Sequence, residues 1–96
     1  MDSIRFEWDE SKNASNRRKH KVSFEEAKTV FYDENARLIS DPDHSQDEDR
    51  FILLGLSNKL RMLVIVHTYG ESDETIRIIS ARKATNNEIK FYKTRK

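Results

Sequence analysis

Apolar and polar positions alternate or recur along this chain with periods that change every ten residues or so. Ile4, Phe6 and Trp8 alternate with Ser3, Arg5 and Glu7, the period of a short half-buried strand at a sheet edge. Asp9 then predicts an N-cap for a helix through about residue 19, whose only aliphatic member is Ala14, so that helix is polar over most of its circumference. Ser23-Phe24-Glu25-Glu26 reads as a capping box: the serine oxygen accepts from the Glu26 amide, the glutamate reaches back, and Val22 staples against Ala27. Phe24, Ala27, Val30 and Phe31 line one face of the second helix, expected over 24–32.

A polar stretch follows, with the only proline, Pro42, and a short strand-like run at Ala36–Ser40. Three runs rich in aliphatic and β-branched residues come next, Arg50–Ser57, Leu60–Tyr69 and Thr75–Arg82, joined by connections short enough to make antiparallel neighbours. In the middle run Met62, Val64 and Val66 take one face and Leu63, Ile65 and His67 the other, which predicts a central strand. In the last run Ile76, Ile78 and Ser80 share a face with Arg82, while Arg77 alternates with Ile79 and Ala81, so strict alternation sends the two arginines to opposite faces. Thr85-Asn86-Asn87-Glu88 is a second capping box and opens a last helix that returns Ile89 and Tyr92 to the sheet. The order β-α-α-β-β-β-β-α defines an α+β fold: an antiparallel sheet of four or five strands, packed by two N-terminal helices and one C-terminal helix.

Ninety-six residues, 36% charged and 35% hydrophobic, suit one domain spanning 1–96 with one modest core. The chain has no cysteine, which excludes disulfides, thiolate zinc sites and thiol nucleophiles and fits a reducing cytoplasm. No window is long and apolar enough for a membrane span. Two glycines, Gly55 and Gly70, cannot build a nucleotide-cradling loop, so no cofactor is expected. His20, His44 and His67 lie in different elements and give no metal-ligand spacing, so no metal is expected either.

The net charge of +1 hides a segregated pattern. Residues 11–28 hold Lys12, Arg17, Arg18, Lys19, Lys21 and Lys28 against Glu25 and Glu26; residues 33–49 hold seven carboxylates against Arg37; residues 76–96 hold seven cations against Glu88. Two basic blocks folded to one side would make a surface for a polyanion.

Arg82 at a strand end, Lys83 beside it, and Glu88 and Tyr92 one helical turn apart supply the groups that RNA cleavage needs. The 2′-hydroxyl must lose a proton, the charge on the pentacoordinate phosphorus must be neutralised, and the leaving 5′-oxygen must gain a proton. A guanidinium does the second without a metal, and histidine, glutamate or tyrosine can do the others. Each residue also has a plain structural reading: Arg77 as half of an ion pair, Glu88 as a cap, Tyr92 as an aromatic at the core edge, His67 as a hydrogen-bonded core residue, and His20 as a charge at a helix C-terminus.

Three longer segments, FEWDESKNASNRRKHKVSFEEAKTVFYD, DPDHSQDEDRFILLG and LVIVHTYGESDETIRIISARKAT, together resemble the BrnT toxin family of bacterial type II toxin–antitoxin systems. The most specific parts are the opening with Trp8, Asp9, Lys12, Asn16, Lys19 and His20, the VSFEEA turn and the IRIISARKA strand. Lys21 departs from the pattern, standing where the family places glycine as a helix C-cap. The resemblance implies a RelE-like fold, metal-independent ribonuclease activity and growth arrest. It also implies neutralisation by a BrnA-like antitoxin that dimerises through a DNA-binding domain, giving a 2:2 complex that meets operator DNA only through the antitoxin. By position it assigns Arg82 to transition-state charge and Tyr92 or Glu88 to proton transfer. His67 joins these as a catalytic candidate, and Lys19, His20, Arg50, Arg77 and Lys83 are RNA-binding candidates. The competing reading is a non-catalytic nucleic-acid-binding or co-repressor module acting with a partner protein; a histidine-based metal hydrolase is a third.

Overall fold

The computed structural model describes residues 4–40, 50–70 and 74–94. Pro42, the His44-Ser45 pair and most of the acidic block, in 41–49, lie outside the described residues. The elements are β1 (Arg5–Glu7), α1 (Glu10–His20), α2 (Phe24–Ala27), a 3₁₀ stretch (Lys28–Tyr32), β2 (Arg37–Ser40), β3 (Arg50–Leu56), β4 (Met62–Tyr69), β5 (Thr75–Lys83) and α3 (Asn86–Lys93). They form the expected α+β architecture, a five-stranded sheet in the order β1-β5-β4-β3-β2 with β4 at its centre.

Three details depart from expectation. The sheet is mixed, because β1 pairs parallel to β5 while the other neighbours are antiparallel. The α1–α2 segment begins the long crossover that parallel pairing requires. The second helix is α-helical for only one turn and tightens into the 3₁₀ stretch. The Ser23 hydroxyl does accept from the Glu26 amide at 3.0 Å. The Glu26 carboxylate, however, turns to Arg61 and Ser57 instead of reaching back, so this box is half formed.

The polar helix α1 is fastened by two buried asparagines rather than by an apolar stripe. Asn13 accepts from the Phe24 amide at 2.9 Å. Asn16 donates to the Val22 and Ala81 carbonyls at 2.8 and 2.7 Å and accepts from the Ala81 amide at 3.2 Å, tying α1 to the part of β5 that β1 leaves unpaired. Asn16 spends all these bonds on backbone groups that burial would otherwise leave unmet, and Asn13 meets the Phe24 amide while its Nδ2 donates to the Glu10 and Glu25 carboxylates. The helix closes at Lys21, which takes the left-handed conformation (φ 61°, ψ 31°) and donates its N–H to the Arg17 carbonyl. The lysine therefore performs the turn that favours glycine.

The core lies between the sheet and α1–α2: Val22, Phe24, Ala27 and Val30 pack on Leu53, Leu63, Ile65, Ile78 and Ala81. Trp8 closes it with an edge-on contact to Phe24, ring centroids 5.9 Å apart.

A β-bulge in β5 decides which side chains share a face. Val66 pairs with Ser80 and His67 with Ile78, so Ile79 is the extra residue. Register partners lie side by side on one face, and on β4 Val64, Val66 and Thr68 point the same way. Their partners Arg82, Ser80 and Arg77 therefore share that face, and the expectation that the two arginines leave in opposite directions is corrected.

Candidate active site on the arginine-flanked face of the sheet

The face turned away from α1 and α2 can be read row by row from the register. One row runs Arg82–Val64–Leu54–Arg37, the next Ser80–Val66–Ile52–Ile39, and a third Arg77–Thr68–Arg50. An apolar strip thus has arginines at its four corners. Helix α3 lies across the first row and leaves a cavity of about 300 Å³ lined by Ile39, Ile52, Leu54, Val64, Asn87, Glu88 and Phe91.

Polar straps hold α3 in place; none of its own residues is fully buried. Thr85 and Glu88 form the complete capping box that the sequence predicts. The same Glu88 carboxylate takes a bidentate pair from Arg82, with both Nη–O distances 2.9 Å. At the helix end Arg37 donates to the Phe91 and Thr94 carbonyls at 3.0 and 2.7 Å and stacks 4.1 Å over the Phe91 ring. Tyr92 donates to Asp33 Oδ2 at 2.7 Å, and the same oxygen accepts from the Leu56 amide at 2.8 Å.

These contacts set the chemistry available. The Arg82 guanidinium, with the Thr85 amide, holds the Glu88 carboxyl down to about 2, so it carries no proton at neutral pH. Glu88 in turn raises Arg82, whose side chain is 42% exposed and so both ordered and reachable. The bidentate fork fixes the guanidinium plane before any ligand arrives.

The register places Arg82, Arg77 and Arg50 on this face, the last two in the third row from Arg82; Glu88 joins Arg82 from α3, the Tyr92 hydroxyl is turned to Asp33, and the exposed Lys83 ends the strand. Arg77 reaches Glu7 at 3.4 Å, an exposed pair. Lys19 and His20 lie elsewhere, with Lys12, Ser15, Asn16, Ile79 and Ser80 around a 250 Å³ groove between α1 and β5.

His67 is not brought to this group. It points to the opposite face, fully buried among Phe31, Phe51 and Tyr69, with the Phe31 ring edge-on at 4.8 Å. Burial pushes its imidazole down to about 4, so it is neutral at physiological pH.

Sequence reasoning missed Arg37 and Asp33, which anchor the C-terminal half of α3. The isolated cation of the acidic block was the available signal for Arg37. Among the described residues, no three of His, Asp and Glu come together to hold a metal ion, and no helix is long and apolar enough to cross a membrane.

Fold and site together define a small α+β domain with ordered guanidinium groups on one face of its sheet. A family model described as the ribonuclease toxin BrnT of type II toxin–antitoxin systems matches residues 8–88, and the chain belongs to this family. Its fold is similar to that of the ribonuclease toxin BrnT of Brucella abortus, known from a 1.1 Å crystal structure. The TM-score is 0.67 at 22% identity, covering 86% of this chain and 99% of that one. No curated protein matches the chain. Membership makes it a ribonuclease-type toxin with an antitoxin for a partner.

Proposed function

We propose that residues 1–96 form one cytoplasmic toxin domain that cuts RNA internally without a metal and is silenced by a BrnA-like antitoxin in a 2:2 complex. The observation that carries this reading is the Arg82–Glu88 pair, locked at the end of β5 on the face it shares with Arg77 and Arg50. In the reaction the RNA 2′-oxygen bonds to phosphorus as its proton departs, and the P–O5′ bond breaks as the leaving oxygen takes up a proton. The products are a 2′,3′-cyclic phosphate and a 5′-hydroxyl.

Arg82 stabilises the extra charge on the non-bridging oxygens, and Glu88, ionised throughout, positions it. Arg77, Arg50 and Lys83 hold flanking phosphates, with Lys19 and His20 serving the strand along the α1 groove. Tyr92 supplies the proton-transfer group once substrate replaces Asp33 as its partner, apo hydrogen bonds being a poor guide to those in the complex. His67 supports the sheet beneath.

RNA incubated with the purified chain in EDTA should yield cyclic or 3′-phosphate ends, and induction of the chain in cells should arrest growth. Fragments with 3′-hydroxyl ends, or cleavage only with added metal, would overturn the mechanism. One observation favours a non-catalytic binding module instead: both candidate proton carriers, Glu88 and Tyr92, are engaged by protein partners. Intact RNA bound with a steep salt dependence, and no growth arrest, would select that reading.

A further inference from the structure

A second cationic pocket lies at the same end of the sheet as Arg82 but on the α1–α2 side. It has a volume of about 210 Å³ and is lined by Arg17, Lys21, Ser23, Glu26, Lys59 and Arg61. Four cations surround it. The one carboxylate, Glu26, is almost fully buried and taken up by Arg61 and Ser57, which leaves it acting as an anchor for Arg61. Arg61 is held further by a 2.9 Å bond from Nη2 to the Lys21 carbonyl, so one wall is rigid and positive.

Lys21 adds a second observation. A left-handed C-cap favours glycine, yet this chain places a lysine there, at the pocket wall, its amine 3.4 Å from the Arg18 carbonyl. The pocket also adjoins the end of β5. Leu63 pairs with Lys83, and the Ala84 amide donates to the Met62 carbonyl at 2.9 Å, so Arg61 lies beside the strand end that carries Arg82 and Lys83.

We infer that this pocket is a phosphate subsite, formed by Arg17, Lys21, Lys59 and Arg61, that holds the backbone of the RNA strand beyond the cleaved linkage. The inference rests on the ribonuclease reading above. The four cations and the nearness of the β5 end that carries Lys83 favour a phosphodiester; an acidic antitoxin segment is the alternative that the experiment must separate.

The probe is a fluorescein-labelled 12-nucleotide RNA with every 2′-oxygen methylated, which binds but offers no nucleophile. Anisotropy is measured in EDTA over a range of salt for the intact chain and for Arg17→Ala/Lys21→Gly/Lys59→Ala. Arg61 is left in place because its loss would strand Glu26. The triple variant should bind on the order of tenfold more weakly at low salt, with the log–log salt slope reduced by about 0.7 for the lost phosphate. Lys21→Gly alone should melt higher yet bind RNA less tightly, a split that a purely structural lysine would not produce. Unchanged RNA affinity and slope in the triple variant would overturn the subsite while leaving cleavage by the parent chain intact. Loss of antitoxin binding with RNA affinity unchanged would reassign the pocket to the antitoxin. A parent chain that fails to bind the probe would remove both this inference and the ribonuclease reading.

Discussion

The buried His67 should make the protein sensitive to mild acid, and the effect can be sized. Its imidazole titrates at about 4 in the folded chain against an ordinary value of 6.5. The cause is burial: a charged ring against Phe31 and Phe51 would lose its hydration, with only long contacts of 3.4 Å to the Ile65 carbonyl and the Tyr69 hydroxyl in return. Below pH 6.5 the unfolded chain takes up a proton that the folded chain refuses. Stability is therefore complete above that pH and falls as pH drops toward 4, by ~1.4 kcal/mol per unit. Between pH 6.5 and 4.5 the loss is about 2 kcal/mol, the slope reaching its full value only below about pH 6, and that is a large share of the stability of a domain this small. Glu26 and Glu88 do not interfere, since their folded values lie below 4.5 and their contributions fade only in stronger acid. The assay is urea unfolding at a series of pH values, followed through Trp8, the only tryptophan, which packs on Phe24. His67→Leu should flatten the slope between pH 6.5 and 4.5, whatever it does to absolute stability. An equally steep fall in the variant would refute the reasoning.

Glu88→Gln should slow cleavage by roughly tenfold to a hundredfold through a misplaced Arg82. It should leave the acidic limb of the pH–rate profile between 5 and 8 unchanged, because Glu88 is already ionised there; disappearance of that limb would make Glu88 a proton carrier. Gly55→Ala should cost about 1–3 kcal/mol by overpacking. An added Cβ would sit 2.8 Å from Val30 Cγ1 and 3.0 Å from both Ala36 Cβ and the Asp33 carboxylate, and a melting temperature equal to the parent's would refute this. Arg61→Ala should destabilise by about 3 kcal/mol and Glu26→Gln by less. The first strands a carboxylate that is 2% exposed, whereas the second frees a guanidinium that is 31% exposed and can turn to water. Chemical denaturation gives the order, and the reverse order would contradict it.

Much of the fold was legible in local signals. Thr85–Glu88 forms its box as written, and the three long strands fall where the β-branched runs lie, with the doubly apolar run 60–69 at the centre. What escaped was non-local. No local pattern distinguishes Ile79 as a bulge from its place in an ordinary strand, yet that one residue puts Arg77 and Arg82 on the same face. Glu26 looked like a reach-back cap and found a better partner thirty-five residues away in Arg61. Asn13 and Asn16 read as the surface of a polar helix, since composition does not reveal that their amides meet backbone groups in the core. Within the site, Arg82 and Glu88 were visible through strand-end position and helical spacing, whereas the roles of Asp33 and Arg37 depend on where α3 ends over the sheet.

The central claim is that Arg82, held by Glu88, stabilises the transition state of metal-free RNA cleavage. Its most direct test is the single-turnover rate on a defined RNA in EDTA for the parent, Arg82→Ala and Arg82→Lys. Losing one preorganised donor should cost on the order of 10²-fold or more. Lysine should restore little of it, since a single ammonium cannot reproduce the planar fork. An Arg82→Ala protein that cleaves at the parent's rate and leaves the same ends would contradict the claim.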